Sequence, residues 1–273
     1  MFFQIKSYLK FLWHSKNEHA VHSPFVFSLI TKCFYDKKTK AEYSILENYR
    51  NSLLENKNTI EVTDFGAGSR VFNSNTRKIS QIAKIAGISP KRARLLYRIT
   101  NYFEANNILE IGTSLGLATA AMSLGSRNLG TKAKITTLEG CPNTMAVARN
   151  QLQLAKLSSR AESRDNINTI NFITTEFSEY LKTHNSQLTT YNLIYFDGNH
   201  SKKATLDYFE NLLPTISNDT VWIFDDIHWS AEMEEAWETI KNHPKVSVTI
   251  DTFQWGLVFF RREQPKEHFI IRT

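Results

Sequence analysis

The second part of the chain alternates short runs of β-branched and aromatic residues with segments whose apolar residues recur at helical spacing. This alternation is typical of a parallel β-sheet built from strand–helix units, because parallel neighbours need a crossover connection. Pro142 and Ser230 indicate two helix starts, since proline is favoured in the first helical turn and serine as N-cap. Strands are predicted near residues 108–112, 134–138, 170–174, 192–197 and 220–225, and helices near 115–125, 142–157, 176–183, 201–213 and 230–242.

The last two apolar runs of this part, 246–253 and 255–262, follow one another too closely for a helical crossover. They predict an antiparallel hairpin at the end of the sheet. The predicted fold class is therefore α/β, with a doubly wound, seven-stranded sheet made of five parallel strands and the antiparallel C-terminal hairpin. The first 105 residues carry helical signals and predict a helical N-terminal cap over the carboxyl edge of the sheet.

Composition restricts the class of protein. Hydrophobic residues make up 41% and charged residues 22% of the 273, as in ordinary globular proteins, so a disordered or fibrous chain is not expected. No apolar run approaches the roughly 18 residues of a membrane-spanning helix, and lysines interrupt the first residues where a secretion signal would be apolar. The only two cysteines, Cys33 and Cys141, exclude a disulfide framework and fit a reducing compartment. A cytoplasmic location is predicted.

Positive charge is concentrated in the first 105 residues, which hold 17 Lys and Arg against 8 Asp and Glu; the rest hold 16 against 19. Either a solvated basic face or an anionic partner explains this asymmetry. Segment 77–99 supports the second explanation, because its helix–turn–helix outline with seven basic residues and no acid is typical of DNA-binding segments. Against it, Leu95, Leu96 and Ile99 form an apolar stripe that predicts packing on the sheet.

Residues 2–13 predict an amphipathic helix, in which Phe2, Ile5, Leu9, Leu12 and Trp13 fall on one side, with lysines at its border. We interpret it as a helix that docks this apolar side on the rest of the protein. The alternative is a helix that lies on a membrane surface.

A glycine-rich turn at 107–123 is the sharpest chemical signal, because a strand ends there and turns through Gly112 and Gly116 into an Ala-rich helix. Glycines let the backbone approach a ligand, and the helix N-terminus offers free N–H groups. The turn lacks the third glycine of a dinucleotide fingerprint, so NAD is disfavoured. The next strand ends at Glu139, where a carboxylate can accept both hydroxyls of a ribose.

With the sequence E-I-G-T-S-L-G at 110–116, an acid after the second strand and a terminal hairpin, residues 90–273 resemble a class I S-adenosylmethionine-dependent methyltransferase. Ser114 in place of a middle glycine is similar to the catechol-type O-methyltransferase branch. The resemblance implies that the turn surrounds the methionine part of the cofactor, with Glu110 near its amino group, Glu139 at the ribose and Glu176 near the adenine. The cofactor-binding residues implied are Glu110, Gly112, Ser114, Gly116, Glu139, Glu176 and Asp197.

Acidic residues end the fourth and fifth predicted strands, at Asp197 and at Asp225 and Asp226. The resemblance implies that such a set can hold Mg²⁺ or Ca²⁺, although Asp226 stands where that branch has Asn. A cation bound to an acceptor hydroxyl favours its deprotonated, more nucleophilic form. Without a cation the three carboxylates would repel one another, so the alternative is that one Asp is turned away or protonated.

His200 stands three residues after Asp197, where the resemblance implies a lysine base. Histidine is a sensible general base, because its ordinary pKa is about 6.5. We assign the catalytic role to His200 and Asp197. His228, close to the acid pair, is the weaker candidate for contact with the acceptor.

A second glycine turn, at 59–69, imitates the first with Asp64, Gly66 and Gly68, but a polar segment follows it and no strand–helix series continues. Two interpretations stay open: a lid on the acceptor side of the site, or an ordinary tight turn.

The sequence therefore predicts a basic helical N-terminal cap region at 1–89 and a class I methyltransferase domain at 90–273. The predicted function is methyl transfer from S-adenosylmethionine to an oxygen of a small-molecule acceptor, with nitrogen as the other acceptor. The alternative is a nucleic-acid-binding protein that uses segment 77–99, in one form an RNA methyltransferase. A homodimer is left open.

Overall fold

The computed structural model describes residues 2–63, 74–127, 132–157, 168–184 and 190–273. The chain forms two compact units. The first unit comprises Met1–Tyr35 and Ser178–Thr273, and the second comprises Asp36–Phe177. The sequence-based boundary between residues 89 and 90 does not coincide with this division and stays a prediction.

The described elements follow the predicted alternation closely from residue 107 onwards. The helices are α1 (Phe2–His14), α2 (Pro24–Leu29), α3 (Glu42–Glu55), α4 (Ile79–Ile85), α5 (Pro90–Tyr102), α6 (Leu117–Gly125), α7 (Pro142–Leu154), α8 (Phe177–His184), α9 (Lys202–Leu212) and α10 (Ala231–Asn242). The strands are β1 (Thr59–Glu61), β2 (Thr76–Lys78), β3 (Asn107–Ile111), β4 (Lys134–Glu139), β5 (Thr169–Thr174), β6 (Leu193–Phe196), β7 (Val221–Asp225), β8 (Val248–Asp251), β9 (Trp255–Phe259) and β10 (Glu267–Ile270). None of the described helices is long and apolar enough to span a membrane.

In the second unit, β3, β4 and β5 are parallel, with Ile108 opposite Ile135 and Ile135 opposite Ile170. These strands can be apolar on both sides because helices cover a parallel sheet. The Ala-rich helix α6 is buried along its whole length and packs against α5. A separate antiparallel pair, β1 and β2, precedes α4.

Helix α5 is the second helix of the segment that suggested DNA binding. Its Leu96 and Ile99 are fully buried, and it packs on α6. The nucleic-acid alternative has no support in the structure, because the apolar stripe of α5 is used inside the second unit.

In the first unit, β6 and β7 are parallel, while β9 is antiparallel to both β7 and β8. The predicted C-terminal hairpin is thus confirmed. This unit also holds one strand beyond those predicted, β10, which pairs in parallel with β8. The sequence did not reveal β10, because a short, half-exposed edge strand has no continuous apolar run.

Helix starts are placed as expected. Pro142 occupies the first turn of α7, and the Ser230 side chain accepts a hydrogen bond from the N–H of Met233 at 3.2 Å. This cap and Glu232 and Glu234 in the first turn both favour the N-terminus of α10.

The orientation of α1 differs from the prediction. Phe2, Leu9 and Trp13, expected to dock, are exposed, whereas Ser7 and Phe11 on the opposite side are buried. Phe11 and Tyr8 pack on Phe253. These aromatic contacts, and not the apolar side that contains Phe2, Leu9 and Trp13, therefore set the orientation of α1.

Candidate functional site

The turn after β3 is left-handed at three positions. The φ angle is 102° at Gly112, 48° at Ser114 and 77° at Gly116. Glycine adopts such angles without strain, whereas a serine adopts them at some cost in free energy. The N–H groups of Gly112 and Thr113 both donate to the carbonyl oxygen of Leu138, at 3.0 Å each. The turn is therefore fixed to the next strand.

Gly116 is also required by close packing. A Cβ at this position would lie 2.8 Å from Tyr49 Oη and 3.1 Å from the Leu152 side chain. Tyr49, on α3, is buried and donates through its hydroxyl to the carbonyl oxygen of Leu115 at 2.8 Å. Burial raises the pKa of Tyr49 far above its ordinary value, and the charge of Glu110 adds to this.

Nothing in the sequence singles out Tyr49 as a neighbour of the turn. The helical spacing of Tyr43, Leu46, Tyr49 and Leu53 predicts one buried face of α3, and all four are buried. The partner of that face depends on contacts remote along the chain. Within the second unit, the N-terminal region thus packs on the turn at the carboxyl end of β3.

Glu139 lies at the end of β4 with its carboxylate against the same turn. Its Oε2 accepts a hydrogen bond from the N–H of Ser114 at 2.8 Å, and its Oε1 accepts one from the N–H of Cys141 at 3.0 Å. Burial raises the pKa of Glu139, while these hydrogen bonds act in the opposite direction. The structure brings together the acid and the turn that the sequence placed after neighbouring strands.

Glu110 lies fully buried beneath the turn. Its Oε2 accepts hydrogen bonds from the hydroxyls of Thr119 and Thr137, at 2.5 Å each. Its Oε1 has no hydrogen-bond partner in the described part of the chain. Burial raises the pKa of Glu110 to about 8, although the two threonine hydrogen bonds lower it and the charge of Glu139 raises it further. One buried carboxyl oxygen thus lacks a partner in the described part of the chain.

The β1 strand and the residues after it contact the start of α7. The Asn143 side-chain amide donates to the carbonyl oxygen of Glu61 at 2.7 Å, and the N–H of Thr63 donates to Cys141 Sγ at 3.4 Å. Strand β1 and the residues up to Thr63 therefore lie next to Glu139. The second glycine turn, with Asp64, Gly66 and Gly68, lies outside the described residues, so its interpretation as a lid stays a prediction.

Glu176 follows β5 in the second unit and is exposed. Its assignment to the adenine stays a prediction.

Asp225 is buried at the end of β7 in the first unit. Its Oδ2 accepts a hydrogen bond from Tyr195 Oη at 2.9 Å, and its Oδ1 accepts one from the N–H of Asp226 at 2.8 Å. Asp226 has a left-handed φ of 55°. Tyr195 is a partner of Asp225 that the sequence did not indicate.

The expected metal ligands do not form a suitable group. Among the described residues, no three His, Cys, Asp or Glu side chains are arranged to hold a metal ion. Both oxygens of Asp225 accept hydrogen bonds within the protein, from Tyr195 Oη and from the N–H of Asp226. The described geometry gives no support to the tentative metal assignment, which stays a prediction.

Asp197 and His200 lie together after β6. His200 Nε2 is 3.6 Å from Asp197 Oδ1, and the two side chains are 26% and 18% exposed. The imidazole is thus reachable from solvent and lies beside a carboxylate that can stabilise its protonated form. The catalytic role assigned to His200 and Asp197 stays a prediction.

His228 is held between two carboxylates instead. Its Nδ1 is 2.6 Å from Glu234 Oε1, its Nε2 is 2.9 Å from Asp251 Oδ2, and its ring stacks on Phe253 at 5.1 Å. Burial lowers the pKa of His228, but the hydrogen bonds and charges of Asp251 and Glu234 outweigh burial and raise it. Both ring nitrogens are engaged, so His228 is a bridging cation rather than a base for a ligand.

Comparisons with known proteins agree with this architecture. Residues 109–227 match a family model described as a methyltransferase domain. The SAH-bound methyltransferase of Podospora anserina is 14% identical, with a TM-score of 0.57 over 88% of this chain and 97% of that one. The O-methyltransferase of Bacillus cereus in complex with SAH is 18% identical, with a TM-score of 0.52 over 86% and 96%.

A third structure is the O-methyltransferase from Streptomyces achromogenes involved in tomaymycin synthesis, in complex with SAM; it is 13% identical, with a TM-score of 0.55 over 85% and 95% of the two chains. At these identities the likeness establishes the fold. No curated protein sequence matches the chain significantly.

Proposed function

We propose that this chain, which carries a methyltransferase domain, transfers a methyl group from S-adenosylmethionine to an oxygen atom of a small-molecule acceptor. The observation that carries the proposal is the meeting of the left-handed turn at 112–116 with the Glu139 carboxylate. The solved structures with this fold include O-methyltransferases in complex with SAH or SAM.

The second unit fits the cofactor in three respects. Gly112 and Gly116 leave space for close approach to the backbone, and the N-terminus of α6 follows directly. The Glu139 carboxylate lies against the turn, where it accepts the N–H groups of Ser114 and Cys141, and a carboxylate at this place can accept the hydroxyls of a ribose. Glu110 Oε1 is a buried carboxyl oxygen that has no hydrogen-bond partner among the described residues, so a polar group of the cofactor can pair with it.

The first unit supplies the groups that handle the acceptor proton. Bound S-adenosylmethionine supplies a sulfonium methyl group, which moves to the acceptor oxygen as the carbon–sulfur bond breaks and S-adenosylhomocysteine leaves. His200 accepts the hydroxyl proton at Nε2, and the carboxylate of Asp197 stabilises the imidazolium. Oxygen is favoured over nitrogen as the acceptor, because a hydroxyl needs such a base more than a neutral amine does.

The cofactor proposal is tested by calorimetry with S-adenosylhomocysteine on the full chain. Wild type should bind, and Glu139→Ala should bind about 10 to 100 times more weakly, because hydrogen bonds to a charged group contribute about 1.5–3 kcal/mol. Glu55→Ala, on the exposed side of α3, is the matched control and should bind as wild type. Failure of the wild-type chain to bind would refute the proposal.

The acceptor step is tested by incubating the chain with methyl-labelled S-adenosylmethionine and a panel of small phenols, alcohols and amines. Label should appear in ether or ester products. His200→Gln should lower kcat at least about 100-fold, the usual contribution of a general base, while the affinity for S-adenosylhomocysteine stays unchanged. Label found only in amines would replace oxygen by nitrogen as the acceptor.

A further inference from the structure

Helix α1 presents an apolar face to solvent. Phe2 is 93% exposed, Trp13 86%, Leu9 60% and Ile5 54%. At 100° per residue these four positions share one side of the helix, whereas the buried Ser7 and Phe11 lie on the opposite side. We call the exposed set, Phe2, Ile5, Leu9 and Trp13, the α1 face.

The orientation of this helix is fixed by contacts within the first unit. The Phe11 and Tyr8 rings pack on Phe253, with centroids 5.5 and 4.8 Å away. Just after the helix, the N–H of Lys16 donates to the carbonyl oxygen of Ile270 at 2.8 Å. Turning the α1 face inward would break these contacts, so the helix is already docked by its other side.

The charge around the α1 face selects between possible occupants. Lys6 and Lys10 are exposed at one border, and residues 2–17 contain no Asp or Glu. A second copy packed face to face would bring these lysines together without an acid on the helix to pair with them. A surface of anionic lipid headgroups matches both the lysines and the apolar face, and aromatic side chains favour the lipid–water boundary.

We propose that α1 binds the surface of an anionic lipid bilayer, with the α1 face among the upper acyl chains and with Lys6 and Lys10 at the headgroups. The helix lies along the surface, because 13 residues extend only about 20 Å, short of the roughly 30 Å of a hydrocarbon core. This binding does not depend on the proposed methyl transfer.

Vesicle sedimentation with the full chain tests this proposal. The chain should bind vesicles made of equal parts phosphatidylcholine and phosphatidylglycerol. It should bind pure phosphatidylcholine about 30-fold more weakly, because Lys6 and Lys10 near an anionic surface each contribute about 1 kcal/mol. Leu9→Gln/Trp13→Gln should reduce binding at least about tenfold through lost apolar burial. Lys6→Gln/Lys10→Gln should reduce binding to the mixed vesicles only.

Matched controls remove similar groups elsewhere. Ile85→Gln/Leu154→Gln removes two exposed apolar side chains outside α1, and Lys37→Gln/Lys38→Gln removes two exposed lysines. Both should bind as wild type, with circular dichroism confirming that every variant is folded. The proposal is overturned if wild type does not bind the mixed vesicles, or if Leu9→Gln/Trp13→Gln binds equally well. It is also overturned if wild type is a dimer that this double variant dissociates, because a second copy then covers the α1 face.

Discussion

The Glu139 carboxylate accepts the N–H of Ser114 at 2.8 Å and thereby ties the end of β4 to the left-handed turn after β3. Ser114 has a φ of 48°, and this hydrogen bond is one of the contacts that hold it there. The acid thus helps to shape the turn.

Glu139→Gln should destabilise the chain although the side chains have the same shape. Both Glu139 oxygens accept N–H donors, from Ser114 and Cys141, so the amide of Gln would place a donor against a donor. We expect a loss of about 1–3 kcal/mol in the free energy of unfolding, measured by urea denaturation. Glu55→Gln is the control, and a Glu139→Gln variant as stable as wild type would show that one of the two hydrogen bonds is absent.

Gly116→Ala should destabilise the chain through two separate effects. The φ of 77° is strained for alanine, and the added Cβ would lie 2.8 Å from Tyr49 Oη. We expect a loss of at least about 1 kcal/mol. In the Tyr49→Phe background the loss should be smaller, because the hydroxyl is gone. The free energy of unfolding is measured by urea denaturation. If Gly116→Ala lowers it equally in the wild-type and Tyr49→Phe backgrounds, the Tyr49 hydroxyl does not lie against the turn.

Glu110 should make the chain less stable as pH rises. Its pKa is raised from an ordinary 4.5 to about 8 in the folded protein. The folded state therefore holds a proton that the unfolded state releases, so this contribution is present below pH 4.5 and is lost as pH rises through about 8.

In Glu110→Gln, which stays neutral, Tm should depend less on pH in this window. Glu55→Gln should keep the wild-type profile. A Glu110→Gln profile parallel to that of wild type would indicate that Glu110 is ionised in the folded protein.

His228 should also make the folded chain less stable as pH rises. Because its pKa is raised from 6.5, its contribution is fully present below pH 6.5 and disappears as pH rises through the higher folded-state pKa. His228→Gln should abolish the pH dependence of Tm that comes from His228 and should leave the pH dependence that comes from Glu110 unchanged. His19→Gln, an exposed histidine, is the control. A wild-type Tm that rises above pH 6.5 would contradict the bridge between Glu234 and Asp251.

Mg²⁺ and Ca²⁺ should leave the Tm of the chain unchanged beyond a nonspecific salt effect. The described residues contain no group of three side chains suited to a metal, and Asp225 already accepts hydrogen bonds from Tyr195 and the N–H of Asp226. The measurement is a thermal shift titration of wild type and Asp225→Asn. A saturable rise in Tm for wild type that Asp225→Asn abolishes would restore the metal site.

The sequence determined the elements of the fold and showed that a glycine-rich turn follows the strand that ends near residue 111. Strand–helix alternation is a local pattern, and the hairpin followed from a gap too short for a crossover, so residues near one another in the chain carried that information. The glycines of this turn and the two acids, Glu110 and Glu139, were singled out because they lie at strand ends, where parallel strands present ligands, and their contact with a cofactor stays a prediction. Strand β10 was not predicted, because an edge strand needs few apolar residues.

Only the tertiary structure decided which partner each side chain takes. His228 became a bridge because Glu234 and Asp251, remote in the sequence, meet at its two nitrogens. The apolar pattern of α1 could not tell which side docks, because Phe253 lies about 240 residues away and selects the side of Phe11. The periodicity of the sequence indicates which residues share a face of a helix or strand. Contacts between segments that are distant in the chain determine what that face packs against, and no local sequence pattern indicates these contacts.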